Sequence, residues 1–221
     1  MLIIVDARFV DKAKKIWGDK HEIIPSFTHE KLQTPVSSHP DMTILPIGDV
    51  FVCCPESYDY YKVFLGERLI SGKTMLSSHY PNDIAYNVLI YKNKAFAKKD
   101  YIDLRVLQEL KKQDIELINV NQGYAKCSCA ACSSGVITAD DSIFKTLCKQ
   151  GINSLKITPG HVTLTGYDYG FIGGASGVID GKLTFFGDVS KHPDFSKIKE
   201  FCEFDYFGDF NLTDIGTIFC I

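Results

Sequence analysis

The chain has 221 residues, 24 Lys and Arg against 27 Asp and Glu, a formal net charge of −3, and 45% hydrophobic against 23% charged residues. That is too apolar for a disordered chain, too weakly basic for a nucleic-acid protein on composition, and no apolar run reaches the ~18–20 residues of a membrane span. A globular chain remains, with core enough for one large domain or two small ones and with no membrane or nucleic-acid partner expected.

The N-terminal segment 1–5 is apolar without a basic leader or a small-residue cleavage site, and reads as a buried strand. A helix over 9–17 and a strand over 22–24 follow. Strands at 42–45 and 50–54 flank a turn at Gly48-Asp49, and 58–65 has helical spacing. Strands at 85–90 and 94–97 pair around Lys92-Asn93; Asp100 is placed as the cap of a helix carrying Leu104, Leu107 and Leu110, and 115–120 is a strand. Segments 126–133 and 135–139 form the next hairpin. Asp140-Asp141-Ser142 is a helix N-cap signal, Ile143, Phe144, Leu147 and Cys148 lie at helical spacing, and Gly151 ends the helix. A strand over 155–159 closes that stretch. Segments 166–178 and 183–186 pair around Asp180-Gly181, a strong hairpin turn. His192-Pro193-Asp194 starts a helix with Ile198, Phe201 and Cys202 inward, and 204–207 is a strand. The segment 215–221 is a strand with no helix after it.

One pattern recurs: a strand pair, an amphipathic helix, a short strand. Two helix ends superpose, Leu110-Lys-Lys-Gln-Asp-Ile on Leu147-Cys-Lys-Gln-Gly-Ile, a period of 37 residues. Pairing the last strand with the first unit gives five ββαβ units, and 221 residues divide into about 44 each. The expected units are 1–36 with 211–221, 37–80, 81–122, 123–165 and 166–210, a single α/β domain over 1–221. A ring closed by its N- and C-terminal segments exposes no sheet edge.

Eight cysteines without an export signal point to a reducing cytoplasm. Cys53, Cys54, Cys148 and Cys202 lie within apolar patterns and are expected to be buried. Cys127-x-Cys129-x-x-Cys132 has no second pair and no matching His spacing, so no metal is expected. Gly173-Gly174-Ala175-Ser176-Gly177 lacks the spacing of a phosphate-binding loop and reads as close packing at the ring axis.

Five ββαβ units in a ring resemble the penteins, the fold of the guanidino-group modifying enzymes: deiminases, dimethylarginine dimethylaminohydrolase and amidinotransferases. The fold also serves the ribosome anti-association factors, which are not enzymes. Gly123-Tyr-Ala-Lys-Cys-Ser128, Gly166-Tyr-Asp-Tyr-Gly-Phe-Ile-Gly-Gly-Ala-Ser-Gly177 and Leu212-Thr-Asp-Ile-Gly-Thr217 together resemble a bacterial branch of that fold without an assigned reaction. The resemblance implies a pentein β/α-propeller with an axial small-molecule pocket and no cofactor. It implies a cysteine nucleophile, a His acid/base and carboxylates that pair with a guanidinium.

Residue by residue, those roles are altered. The segment expected to carry the nucleophile reads Asp214-Ile-Gly-Thr-Ile-Phe219, with Cys220 one place late. Tyr124 stands where the His is expected, and Asn87 where a carboxylate is expected. The nucleophile candidates are therefore Cys127 and Cys220. The ligand-binding candidates are His39, Asp41, Asn82, Asp83, Asn87, Tyr124, Lys126, Asp168, Tyr169, Ser176 and Asp214. The resemblance implies an amidino hydrolase or transferase acting on an arginine-like substrate, or alternatively a non-catalytic pentein that binds a cationic ligand or a macromolecular partner.

Overall fold

The computed structural model describes residues 1–221. In chain order the elements are β1 (Leu2–Val5), α1 (Val10–Trp17) and β2 (Glu22–Pro25), followed by α2 (Pro40–Thr43), β3 (Ile44–Ile47), β4 (Val50–Cys53), α3 (Tyr58–Leu65) and β5 (Leu69–Ser71). Next come β6 (Leu89–Tyr91), β7 (Lys94–Ala97), α4 (Leu104–Lys112) and β8 (Glu116–Asn119), then β9 (Cys129–Cys132), β10 (Gly135–Thr138), α5 (Asp141–Lys149) and β11 (Ser154–Lys156). The last are β12 (Ser176–Ile179), β13 (Lys182–Phe185), α6 (Phe195–Phe201), β14 (Phe204–Tyr206) and β15 (Phe219–Cys220). They make five three-stranded sheets. In each, an antiparallel pair is joined by a helix to a third, parallel strand. The first sheet takes its antiparallel member from the far end of the chain: Ile3 lies opposite Cys220 and Ile4 opposite Phe219. No helix is long and apolar enough to cross a membrane.

The apolar core is divided in a way that explains the ring. There are five buried clusters, and each lies across one boundary between neighbouring units. Tyr61 and Leu65 of α3 pack with Ile4 and Ile24 of the first unit. Val106 and Leu110 of α4 pack with Leu45 and Val52 of the second. Ile143 and Leu147 of α5 pack with Leu89 and Phe96 of the third, and Ile198 of α6 with Ala130 and Ile137 of the fourth. Ala13 and Trp17 of α1 complete the circle against Phe186 and Ile179 of the fifth, together with Ile215 and Ile218. Each helix therefore buries its apolar stripe toward the unit before it.

The repeated helix ends are a Schellman pair. Ile115 N–H donates to Leu110 O at 2.9 Å and Asp114 N–H to Lys111 O; Ile152 N–H donates to Leu147 O at 3.0 Å and Gly151 N–H to Cys148 O. Asp114 and Gly151 both hold positive φ, 54° and 69°. Two expectations on these helices are corrected. The cap of α4 is Asp103, whose carboxylate accepts from Arg105 and Val106 N–H, while Asp100 lies in a 3-10 turn and Leu104 faces solvent. Cys148 is exposed, because it lies one step around α5 from the buried stripe of Ile143 and Leu147.

The first strand of each hairpin begins later than its apolar pattern suggests. Residues before it form turns, or in the second unit the one-turn helix α2, and these reach the ring axis. Asp41 precedes β3, Asn87 precedes β6, Cys127 precedes β9, Gly174 precedes β12 and Thr217 precedes β15. Their hydrogen bonds form a closed circuit. Gly174 N–H donates to Cys127 O, Thr217 N–H to Gly174 O, and Asp41 N–H to Gly216 O. Asn87 Nδ2 donates to Asp41 O at 3.3 Å, and its Oδ1 accepts from Lys126 N–H at 2.8 Å and Cys127 N–H at 3.3 Å. Asn87, fully buried, thus fastens the second unit to the fourth through the third. It needs both a donor and an acceptor, and an aspartate supplies only acceptors.

Asn87→Asp should consequently lower the unfolding free energy by ~3–5 kcal/mol near neutral pH, since it removes a donor and buries an unpaired charge. Denaturant unfolding of the two proteins checks this.

Candidate functional site

The axial turns create a cavity of about 300 Å³. Its floor holds His39, Cys127 and Asp214, and its walls include Tyr124, Tyr167, Asp168, Tyr169 and Phe171. An imidazole nitrogen, the thiol and a carboxylate oxygen of the floor residues all lie within 4.8 Å of one another.

Each floor residue is held by a local constraint. His39 sits immediately before α2, whose first residue Pro40 pre-sets the turn. Gly216, at φ +66°, leaves the space that the His39 side chain occupies, and Gly174 does the same for Asp214; a Cβ on either glycine would collide with those side chains. Asp214 Oδ2 accepts from Phe171 N–H at 2.8 Å and Oδ1 from Gly216 N–H at 2.9 Å. Cys127 donates its S–H to Asp41 Oδ2 at 2.9 Å, and Thr217 Oγ1 donates to the same oxygen at 2.8 Å.

His39 is 1% exposed, and neither of its ring nitrogens has a hydrogen-bond partner. Carboxylates stand at longer range on both sides, Asp214 Oδ1 at 3.8 Å from Nδ1 and Asp6 Oδ2 at 3.7 Å from Nε2. Asp6 is itself paired with Arg8. An imidazole so placed is free to take a proton on one side while a carboxylate supports it on the other. Burial pushes the Cys127 thiol well above its ordinary range, and the charges of Asp41 and Asp214 push in the same direction. Burial likewise raises the Asp214 carboxyl, which the neighbouring His39 partly opposes. The resting thiol is therefore protonated, and its nucleophilic form requires a base or an incoming positive charge.

A metal ion would need the floor atoms to converge to about 2.0–2.3 Å from one point. Cys127 is engaged by Asp41, and both Asp214 oxygens accept from backbone N–H groups, so a metal on these three residues would have to replace the thiol proton that Asp41 holds. The Cys127, Cys129 and Cys132 side chains diverge: one faces the cavity, one enters the cluster between third and fourth units, and one the cluster between fourth and fifth.

The sequence candidates fall into five groups. His39, Tyr124, Cys127, Asp168, Tyr169 and Asp214 line the cavity. Asp41 and Asp83 stand behind it, Asp41 on the thiol and Asp83 Oδ2 accepting from Tyr124 O–H at 2.7 Å. Asn87 is a fastener of the axial turns and does not line the cavity. Lys126, Ser176 and Cys220 line a different cavity that shares no residue with the first, and Asn82 is exposed and lines neither. Cys220 is thereby removed from the His39 site: in β15, paired with Ile3, its side chain points away from the floor. Sequence reasoning missed the Asp6–Arg8 pair, the hydroxyl of Thr217 and the aromatic wall residues Tyr167 and Phe171. The Asp6-x-Arg8 spacing after a buried strand was the signal available for the first.

Among solved structures the chain is similar to dimethylarginine dimethylaminohydrolases. One carries an adduct with S-methyl-L-thiocitrulline, at 10% identity and a TM-score of 0.59, covering 94% of this chain and 92% of that one. A mutant from Pseudomonas aeruginosa complexed with citrulline matches at 8% identity and a TM-score of 0.59, over 94% and 91% of the two chains. A third, with an adduct of 4-chloro-2-hydroxymethylpyridine, matches at 7% identity and a TM-score of 0.56, over 94% and 92%. With the five units and five sheets, these likenesses establish the pentein α/β-propeller fold. No curated protein matches the chain. The model of a family of unknown function, DUF6873, matches residues 4–219, and the chain belongs to that family.

Proposed function

We propose that the first cavity binds a guanidino compound and that Cys127 attacks it with His39 as acid/base. The observation that carries this reading is the convergence of Cys127, His39 and Asp214 on the floor of a cavity walled by aromatic rings and Asp168. Tyr124, Tyr167, Tyr169 and Phe171 line it with aromatic rings, groups that attract a cation, and the buried carboxylates favour a positive charge beside them. The solved pentein neighbours carry citrulline or a thiocitrulline adduct, ligands of the corresponding chemical class.

In this reading the bound cation lowers the cost of forming a thiolate, and the thiol proton passes to His39. The sulfur bonds to the guanidino carbon. Ammonia or an amine leaves with the proton held by His39, and a thiouronium adduct remains. Water, deprotonated by His39, adds to the same carbon; the C–S bond breaks, the sulfur takes back a proton, and a ureido product departs. Guanidinium and water thus become a urea and an ammonium ion. Tyr124, where the resemblance places a His, contributes its ring and its hydrogen bond to Asp83. Burial raises that phenol far beyond neutrality, so it serves no acid/base role near neutral pH. A second reading rests on the protonated, Asp41-bound thiol: a cavity that holds a cation without turning it over.

Incubation with arginine, agmatine, methylarginines and creatine should yield ammonia and a ureido product, at least ~100-fold above Cys127→Ala. A cation-induced rise in melting temperature without product selects the second reading; neither product nor shift overturns both. The thiol itself gives another prediction. Because its folded value lies above the usual range, the thiolate is scarce below that value and grows about tenfold per pH unit. Alkylation of Cys127 by iodoacetamide, followed on its own peptide, should climb between pH 7 and 9 with no plateau. Asp41→Asn, by removing a neighbouring negative charge, should raise the rate at pH 8 by roughly tenfold.

A further inference from the structure

The second cavity, of about 260 Å³, lies beyond Thr217 and Asp41 from the first. Leu45, Val88, Ile90, Ala131 and Phe219 give it apolar walls, and Lys126 and Thr217 stand in it as polar groups. The Lys126 ammonium makes one side-chain hydrogen bond, donating to Thr217 Oγ1 at 3.2 Å; burial pushes it below its usual range, and the charges of Asp41 and Asp214 oppose that only in part. An ammonium has three donors, so two are left without a protein partner in a half-buried, apolar setting. Asp41, one hydroxyl away, offsets the cost of that burial in part, and an anion on the free donors would offset more of it.

We propose that this cavity is a second ligand site, for a small monocarboxylate with an apolar chain, held by Lys126 and read out at Cys127. The carboxylate takes the free donors of Lys126, and the chain lies along the apolar walls. The volume, at the low end for ligand pockets, restricts the ligand to a short chain. The readout runs through three contacts already described: Lys126 Nζ to Thr217 Oγ1, Thr217 Oγ1 to Asp41 Oδ2 at 2.8 Å, and Cys127 Sγ to the same Asp41 oxygen at 2.9 Å. The Lys126 charge favours the Cys127 thiolate. A carboxylate that neutralises Lys126 removes that support, so occupancy of one cavity makes the nucleophile of the other less reactive. Binding at Lys126 is independent of whether the first cavity turns over a guanidino compound. A failed turnover assay therefore leaves it standing.

Hexanoate is a suitable probe and hexan-1-ol, of the same chain length without the charge, its control. At ten times its Kd, hexanoate should raise the melting temperature of the protein by roughly 3–5 °C, and hexan-1-ol should not. Lys126→Met should abolish the shift. Val178→Asp, at an exposed position on the mouth of the cavity, should weaken it by repelling the carboxylate, and keeps the experiment decisive where Lys126→Met does not fold. Saturating hexanoate should slow iodoacetamide alkylation of Cys127 by threefold or more. The absence of a hexanoate shift at ~10 mM, or an equal shift in the variants, overturns the site. Binding with an unchanged alkylation rate overturns the coupling.

Discussion

Everything in this molecule depends on a circle of hydrogen bonds at its axis. Cys127, Gly174, Gly216, Asp41 and Asn87 pass donors and acceptors from unit to unit until the circle closes. Four of these junctions include a backbone donor, and the remaining one, between the second and third units, is made by the Asn87 amide. The apolar clusters outside the circle follow the same order, one per boundary. No unit has a cluster to itself, so a unit removed from its neighbours loses both faces of its packing.

The same circle makes the site. Because each turn must bring backbone to the axis, the side chains of neighbouring residues in it are sent to different sides. Lys126 and Cys127 show the result: adjacent in the chain, they open into separate cavities yet remain connected through Thr217 and Asp41. Two features set the character of the first cavity. Buried carboxylates surround its floor and keep the thiol protonated, and aromatic rings form its walls. Both favour a planar cation as the occupant, and a cation is also what would release the thiol proton.

Much of the fold was legible in the sequence. The helix Tyr58–Leu65 follows its apolar spacing, the Asp180-Gly181 turn adopts the paired positive φ angles of its type, and the matched ends at Leu110 and Leu147 fold as the same cap. These are local signals, set within one turn or hairpin. What escaped was set by distance. The strand-like residues 85–88 and 42–43 are drawn out of the sheets by axial contacts that no periodicity records. His39 and Asp214 looked like separate candidates because 174 positions of sequence between them do not reveal the two glycines that let their side chains meet. Cys220 looked comparable to Cys127 because a strand's facing cannot be read before its partner, Ile3, is known.

The closing strand also imposes a timetable. Asp214, Gly216 and Thr217 lie in the same late stretch as β15, and until that stretch docks, the first unit lacks its antiparallel partner and Cys127 lacks one of its carboxylate neighbours. During synthesis the four other sheets have all their strands before this one arrives. Until then the thiol lies outside part of the electrostatic surroundings that later quiet it. Its chemical exposure is greatest in the interval before the ring is joined, which makes the speed of that joining, and not only its equilibrium, something selection can act on.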